Sequence, residues 1–228
     1  MTLDATALAQ SLAEDGWAVL PHLLSPGECH AVQETWTTPK FFRSEVNMAR
    51  HGFGRGVYRY FGDPLPGAVL ALRAGLYPAL AEIANRWAEV LGTGLSYPAT
   101  HAEYRARCHV VGQTRPTPLL LRYGPGDWNA LHQDLYGAEV FPLQVAVLLS
   151  EPDRDFTGGE FVLTEQRPRM QSRASVVPLK QGDGVVFPVR ERPIHGTRGP
   201  YRVQMRHGVS KLHSGERFTL GIIFHDAA

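Results

Sequence analysis

The chain has 228 residues, of which 43% are apolar and 20% are charged. This balance is typical of a globular protein, argues against long disorder and suits a single domain of ordinary size. No segment approaches the roughly 18 uninterrupted apolar residues of a membrane helix. The opening ten residues contain no Lys or Arg, so we expect no signal peptide. Two cysteines, Cys29 and Cys108, exclude a disulfide framework and a Cys-rich zinc site, and favour a reduced cytoplasmic protein. Because no apolar run is long enough to span a membrane, we expect no membrane partner.

The net charge of +1 is unevenly distributed along the chain. Residues 1–159 contain 12 Lys and Arg against 16 Asp and Glu, whereas residues 160–228 contain 11 against 6. Either this is chance surface composition, or the basic last third faces an anionic partner such as nucleic acid. The near-neutral total is less basic than is usual for a dedicated DNA-binding domain.

Helix signals dominate the first part of the chain. Asp4 can cap a first helix that Gly16 ends, and residues 17–20 are typical of a short strand. Residues 25–28, Ser-Pro-Gly-Glu, form a capping box with proline at the first helical position, which predicts a second helix.

The next segment is rich in glycine and arginine. We expect residues 40–65 to be irregular and residues 68–91 to form a long helix. Because proline cannot continue the helical hydrogen bonds, Tyr77-Pro78 should break or kink this helix.

The second half of the chain consists of short apolar runs separated by glycine-rich turns. The runs lie at 119–123, 141–149, 160–164, 175–177, 185–189, 201–209 and 218–224. This pattern predicts an antiparallel sandwich or barrel. We therefore predict one α+β domain over 1–228, with a mainly helical front part, 1–97, packed on one sheet of a β core, 98–228.

His132 and Asp134 stand two residues apart in the sequence Leu-His-Gln-Asp-Leu. Positions i and i+2 of a strand face the same side, so both side chains could bind one ion. A second histidine would complete a face of two histidines and one carboxylate, which leaves three positions open on an octahedral metal and suits non-haem Fe(II). A histidine and an aspartate at this spacing often arise by chance. The candidates for the second histidine are His195, His207, His213 and His225.

Spacing favours His207 over His195. Segments 203–209 and 217–224 look like two strands of one hairpin, which would place His207 opposite Arg217 on one wall. The planar fork of arginine can bind both oxygens of a carboxylate. His195 lies in a glycine-rich context typical of a loop, and it stays the alternative ligand.

These residues, together with Tyr123 and the Gly-Gly-Glu-Phe turn at 158–161, resemble the 2-oxoglutarate- and Fe(II)-dependent dioxygenase superfamily. The resemblance covers nearly the whole chain, and segment 15–21 is similar to the opening strand of its prolyl-hydroxylase-like members. It implies a double-stranded β-helix, a jelly-roll or cupin-like core, that uses Fe(II), 2-oxoglutarate and O2.

Four further segments are similar to a bacterial family of oxygenases for oxidative demethylation of damaged DNA bases. They lie at 48–54, 112–118, 166–173 and 221–226. This resemblance implies a nucleobase substrate. The prolyl-hydroxylase-like front end and the near-neutral charge keep open a hydroxylase of an amino acid, a peptide or a small metabolite. A cupin-like module that binds without turnover is a third hypothesis.

The resemblance also implies roles for individual residues. His132, Asp134 and His207 would hold Fe(II), and Arg217 would pair with the far carboxylate of 2-oxoglutarate. Relatives often place a helper tyrosine in the strand after the metal-binding pair, where this chain has Gln144. The candidate helpers are therefore Tyr123, Thr219 and Gln144.

Two further expectations concern the reaction and the substrate. Halogenating relatives replace the metal-binding carboxylate by a small residue, so Asp134 favours hydroxylation. For every candidate substrate residue, an ordinary surface or core role stays open. These candidates are Arg50, His51, Arg55, Trp128, Tyr136, Arg167, Arg169 and His195.

Overall fold

The computed structural model describes residues 3–228, so residues 1 and 2 of the opening segment, for which no signal peptide is expected, lie outside the described residues. The described part contains the α-helices α1 (Ala5–Glu14), α2 (Pro26–Glu34), α3 (Gly67–Val90) and α4 (His101–Val110). Its strands are β1 (Ala18–Leu20), β2 (Phe42–Asn47), β3 (Gly54–Arg55), β4 (Val57–Phe61), β5 (Leu119–Tyr123), β6 (Trp128–His132), β7 (Leu143–Leu148), β8 (Phe156–Gly158), β9 (Phe161–Gln166), β10 (Arg173–Val177), β11 (Gly184–Pro188), β12 (Glu191–Gly196), β13 (Gly199–Val209), β14 (Leu212–Gly215) and β15 (Arg217–Ile222).

Most strands belong to two antiparallel sheets. The seven-stranded sheet has the order β1-β11-β7-β15-β5-β4-β2, and the six-stranded one has the order β10-β9-β13-β6-β3 with β12 paired to β13. All seven apolar runs of the second half form strands, so the predicted antiparallel core is confirmed. Many strands pair across long stretches of sequence, which brings distant residues side by side.

The helices pack on one face of the seven-stranded sheet. The largest apolar cluster joins Leu12 of α1 and Leu76 of α3 to Val147 of β7 and Leu220 of β15. This confirms the predicted arrangement of helices on one sheet. By length and composition alone, α3 could cross a membrane, but Leu76 is fully buried in this core, and that packing accounts for its apolar character.

Local end signals place the first two helices as predicted. The Asp4 side chain accepts hydrogen bonds from the backbone amides of Thr6 and Ala7 at the start of α1. Ser25 and Glu28 form the reciprocal capping box of α2. A side-chain oxygen at such a position satisfies backbone donors that the helix itself leaves free.

The structure corrects three expectations for the first half. Residues 40–65 are not irregular, because β2 and β4 extend the seven-stranded sheet and β3 joins the six-stranded one. Helix α3 continues through Pro78, so of the two predicted outcomes the break does not occur. Residues 101–110, which were assigned to the β core, form helix α4.

Candidate active site

Three side chains converge between the two sheets. His132 ends β6, and its register partner on β13 is His207. Asp134 lies 3.3 Å from His207 Nε2 through Oδ2 and 3.6 Å from His132 Nε2 through Oδ1. One ligand atom from each residue can be chosen so that all three lie within 4.8 Å of one another. Two imidazoles and a carboxylate at this spacing could hold one Fe(II) ion.

The sequence predicted this set, but not its geometry. Strand β6 ends at His132, so Asp134 does not share a strand face with it. The carboxylate instead reaches the site from the segment that leaves the sheet. The three side chains still meet because β13 supplies His207 directly opposite His132.

The backbone fixes the orientation of the His132 ring. His132 Nδ1 lies 2.7 Å from the carbonyl oxygen of Ala130. A carbonyl oxygen only accepts, so Nδ1 carries the hydrogen and donates it. The lone pair is then on Nε2, which faces Asp134, and a partner of this kind orients metal-binding histidines.

Burial and charge keep His207 and Asp134 in the states that metal ligands require. His207 packs between Phe161 and Phe187, with ring centroids at 6.0 and 4.7 Å. Burial, and then the neighbouring His132, lowers the pKa of His207 and favours the neutral ring. Burial alone would raise the pKa of Asp134, but the hydrogen bond with His207 holds it well below its usual range.

A pair of tyrosines supports the carboxylate. The Tyr136 hydroxyl donates to Asp134 Oδ1 at 2.7 Å, and the Tyr60 hydroxyl donates to Tyr136 at 3.0 Å. Tyr136, a candidate substrate residue, also lines the cavity. Tyr60 was not identified from the sequence. The available signal was that Tyr58 and Tyr60 stand two residues apart, as side chains on one face of a strand do. Because segment 40–65 was expected to be irregular, this spacing was not interpreted as a strand.

Arg217 faces the triad from the opposite sheet. The predicted hairpin that would pair it with His207 is wrong, because β15 pairs with β5 and β7, whereas β13 belongs to the six-stranded sheet. Between them, β14 turns aside to pair with β8. Arg217 and His207 therefore approach each other across the sandwich.

The guanidinium of Arg217 is buried and makes no ion pair with any residue that the structure describes. Its side chain is 1% exposed, it donates from Nη1 to Thr219 Oγ1, and its Nε has no hydrogen-bond partner among the described residues. The Tyr123 and Phe156 rings lie 5.7 and 5.8 Å from it. Burial lowers its pKa to about 10. A buried cation left unpaired is costly, so this place suits an anionic ligand.

The remaining helper candidates lie around the same space. Gln144 is buried, and its Nε2 has no hydrogen-bond partner among the described residues. The Tyr123 hydroxyl accepts from Asn129 Nδ2 at 3.3 Å. Gln144, Tyr123, Thr219 and Arg217 all line the cavity that contains the triad.

This cavity has a volume of about 360 Å3 and mixed walls. Its polar groups cluster around the triad and Arg217, while Leu119, Leu121 and Ile223 contribute apolar surface. Sites for small ligands are commonly of this size and mostly apolar, with a few convergent polar groups.

The other candidate substrate residues lie outside the cavity lining. His51 stacks on Phe53, which lines the cavity, at a centroid distance of 5.4 Å. His195 is exposed on β12 opposite Pro200, so the structure brings His207, and not His195, to the triad. The candidates not brought to the cavity wall are Arg50, His51, Arg55, Trp128, Arg167, Arg169 and His195.

Solved structures share this fold along nearly the whole chain. A Pseudomonas putida prolyl-4-hydroxylase is 17% identical, with a TM-score of 0.56 over 98% of this chain and 100% of that one. An oxidoreductase of the 2OG-Fe(II) oxygenase family from Burkholderia pseudomallei is also 17% identical, with a TM-score of 0.55 over 100% and 95%. The predicted α+β double-stranded β-helix is thus confirmed.

The triad between the sheets of this fold makes the protein a 2-oxoglutarate- and Fe(II)-dependent dioxygenase. The hypothesis of a module that binds without turnover is set aside. Residues 56–227 match the family model described as "Oxygenase, catalysing oxidative methylation of damaged DNA", and the chain belongs to this family. Two uncharacterized proteins of Mycobacterium tuberculosis, MT2286 and Rv2227, are each 52% identical over 74% of this chain and 72% of their own length.

Proposed function

We propose that the protein hydroxylates a C–H bond of its substrate, with His132, Asp134 and His207 holding Fe(II). The observation that carries the proposal is the buried, unpaired guanidinium of Arg217 facing this triad. The ring of His132 is already oriented by Ala130, and Asp134 by Tyr136. The donor set therefore fits the metal that the family requires.

The dicarboxylate 2-oxoglutarate fits between the triad and Arg217. Its far carboxylate would accept from the Arg217 guanidinium, including the Nε that has no partner, and Thr219 fixes that guanidinium in place. Gln144 would donate its free amide hydrogens to the same ligand. Because the Tyr123 ring packs against Arg217 and its hydroxyl accepts from Asn129, we assign Tyr123 a positioning role.

When bound, Fe(II), 2-oxoglutarate and O2 convert a C–H bond to C–OH and release succinate and CO2. The chain holds the reactants in a cavity whose apolar wall excludes water around the target bond. Because Asp134 occupies the carboxylate position, the ligand set matches hydroxylation.

We infer an N-methylated nucleobase as the substrate. The family description supports a damaged base in DNA. Although that description speaks of methylation, hydroxylation of an N-methyl group gives N–CH2OH, which breaks its N–C bond to release formaldehyde and leave N–H. This site chemistry therefore supports removal of the methyl group. The cavity volume of about 360 Å3 can accommodate one base beside the cosubstrate.

A second candidate is hydroxylation of an amino acid or peptide. The likeness in fold to a prolyl-4-hydroxylase and the net charge of +1 favour it. We also propose a cytoplasmic location, in keeping with two cysteines that are buried and unpaired.

Product release separates the two candidates. Purified protein with Fe(II), 2-oxoglutarate and O2 is offered a single-stranded oligonucleotide with N-methylated bases, the unmethylated oligonucleotide, or a panel of amino acids and proline-containing peptides. We expect equal amounts of formaldehyde and succinate with the methylated strand alone. Succinate release stimulated by an amino acid or peptide, and by no oligonucleotide, would refute the nucleobase assignment.

A further inference from the structure

We propose that six arginines at one end of the six-stranded sheet form a phosphate-binding surface for a single-stranded nucleic acid whose target base enters the cavity. This surface, which we call the arginine surface, consists of Arg167, Arg169, Arg173, Arg190, Arg198 and Arg202. It rests on the proposed nucleobase function and adds to it the part of the molecule that binds the strand.

Two neighbouring segments carry these arginines. Arg167, Arg169 and Arg173 lie between and at the ends of β9 and β10, and the others lie in or beside the β12–β13 hairpin. The segments meet because Gln166 of β9 pairs with Gln204 of β13. On its other side, Gln204 pairs with Glu191, the first residue of β12.

The arginine surface is connected to the cavity through Gln133. This residue lies between His132 and Asp134 and lines the cavity. Its amide donates to the carbonyl oxygens of Arg190 at 3.1 Å and Met205 at 2.9 Å. Since adjacent strands lie about 4.8 Å apart, the backbone before Arg167 is roughly 10 Å from this point. A strand with one base in the cavity would thus carry its neighbouring phosphates past these arginines.

Acidic side chains compensate only part of this charge. Arg167 and Arg173 share Glu165, which also pairs with buried Arg192, and Arg202 pairs with Glu191. Among the described residues, three members of the surface make no ion pair, namely Arg169, Arg190 and Arg198. These three are exposed. Exposed, uncompensated guanidinium groups spread along two adjoining segments are complementary to a chain of phosphates.

The cavity determines the form of the nucleic acid. A base stacked inside a duplex cannot reach a metal enclosed between two sheets, so the target must be unpaired. A single strand meets this requirement without the cost of extruding a base. The basic character of residues 160–228, which the function of Arg217 alone does not explain, is then largely a property of the strand-binding surface.

A charge-matched pair of variants tests the proposal. The first variant carries Arg169→Gln, Arg190→Gln and Arg198→Gln. The control carries Lys40→Gln, Arg86→Gln and Arg154→Gln, which removes the same charge from positions outside both segments. Binding of a fluorescent single-stranded oligonucleotide to the protein with Fe(II) and 2-oxoglutarate, without O2, is followed by anisotropy at several salt concentrations.

We expect the first variant to bind the strand at least about 10-fold more weakly than the parent at low salt. Each phosphate contact on a single strand contributes about 0.7 to the slope of log K against log salt, so loss of three contacts lowers that slope by about 2. The control should keep the parent's affinity and slope. Equal losses in both variants, or parent-like binding by the first, would overturn the proposal.

Turnover separates this proposal from the function on which it rests. A methylated nucleoside has no phosphate, so the first variant should demethylate it at the parent's rate. If the parent demethylates the oligonucleotide and the first variant binds it as tightly as the parent, the proposed function stands and the arginine surface is refuted. If strand binding depends on these arginines but the parent releases no formaldehyde, the arginine surface stands and the proposed function is refuted. Stronger binding of an acidic peptide than of the strand would overturn the surface as well.

Discussion

At the residue scale, the site depends on one buried cation. Arg217 is almost fully enclosed, where it contacts one hydroxyl group and two aromatic rings, and its Nε has no hydrogen-bond partner among the described residues. In the folded protein this arrangement is useful only if a carboxylate completes it, because an uncompensated charge lowers stability. The dicarboxylate cosubstrate supplies that group in the proposed function.

Arg217→Lys should weaken binding of 2-oxoglutarate more than it slows turnover. Lysine keeps the charge but loses the planar fork. Hydrogen bonds to charged groups contribute about 1.5–3 kcal/mol, so KM for 2-oxoglutarate should rise roughly 10- to 100-fold while kcat at saturation changes little. Steady-state succinate release at varied 2-oxoglutarate measures both constants. An unchanged KM would contradict the assignment.

If His207 and not His195 is the metal ligand, replacing each of them by alanine should have different effects on Fe(II) binding. His207→Ala should abolish turnover and weaken Fe(II) binding by more than the 10- to 100-fold that is typical when a supporting partner is lost, because it removes a ligand. His195→Ala should leave Fe(II) binding unchanged, since His195 is exposed and lies outside the cavity lining. Titration of both variants with Fe(II) measures these affinities. Weaker Fe(II) binding by His195→Ala, with unchanged binding by His207→Ala, would identify His195 as the metal ligand.

At the element scale, the turn at Gly158-Gly159 allows Arg217 to reach the site. Gly159 has φ +65°, and a Cβ added there would lie 2.6 Å from Leu212 Cδ1 and 3.1 Å from Arg217 Cδ. The turn leads from β8, which pairs with β14, into β9, which pairs with β13. A Cβ at this glycine would overlap with Leu212 and crowd the side chain of Arg217.

Gly159→Ala should therefore impair both stability and 2-oxoglutarate binding. The matched control is Gly92→Ala, because Gly92 also has positive φ but open space around its Cβ position. The control should lose about 1–2 kcal/mol of stability from the left-handed backbone alone and keep its KM. Gly159→Ala should lose more, with an increased KM for 2-oxoglutarate. Denaturant unfolding measures the stability of both variants, and steady-state kinetics measures their KM for 2-oxoglutarate. Equal changes in both variants would show that contact with Arg217 is not the cause.

At the scale of the whole molecule, buried polar groups fasten the end of the chain to the helices. Asp226 pairs with Arg73 of α3 at 2.7 Å and with Arg105 of α4 at 3.2 Å. His101 of α4 is buried, and its Nε2 lies 2.9 Å from the carbonyl oxygen of Phe224. The final strand of the site, β15, ends just before this segment, so these contacts also hold the wall that carries Arg217.

His101 makes stability depend on pH. Burial, and then the charge of Arg73, lowers its pKa to about 4 in the folded protein, whereas an unfolded histidine titrates near 6.5. The unfolded chain therefore takes up a proton that the folded chain does not, and the free energy of unfolding should fall as pH falls from about 6.5 to 4. His101→Gln should flatten this fall, while His30→Gln, at an exposed position, should not. Urea unfolding at pH 7 and pH 5 tests both, and the same slope in all three proteins would exclude this cause.

Local signals in the sequence were sufficient for part of the fold. The capping residues Asp4 and Ser25 placed α1 and α2, because a cap depends on neighbours within one turn. The apolar runs of the second half located strands because an apolar run and the turn residues that bound it are also local signals. By contrast, β2 and β4 were missed, since the glycines around them obscured their alternation. Long-range pairing makes them strands, because β4 pairs with β5 and β2 pairs with β4.

The sequence by itself determined the chemistry of this protein: the residue types of His132, Asp134, His207 and Arg217, and with them the class of reaction. Only the tertiary structure decided how they meet. Strand pairing joins residues far apart in the chain, so the sequence could not reveal that Asp134 lies beyond its strand or that Arg217 stands on the opposite sheet. Long-range register places these groups, and spacing along the chain does not encode it.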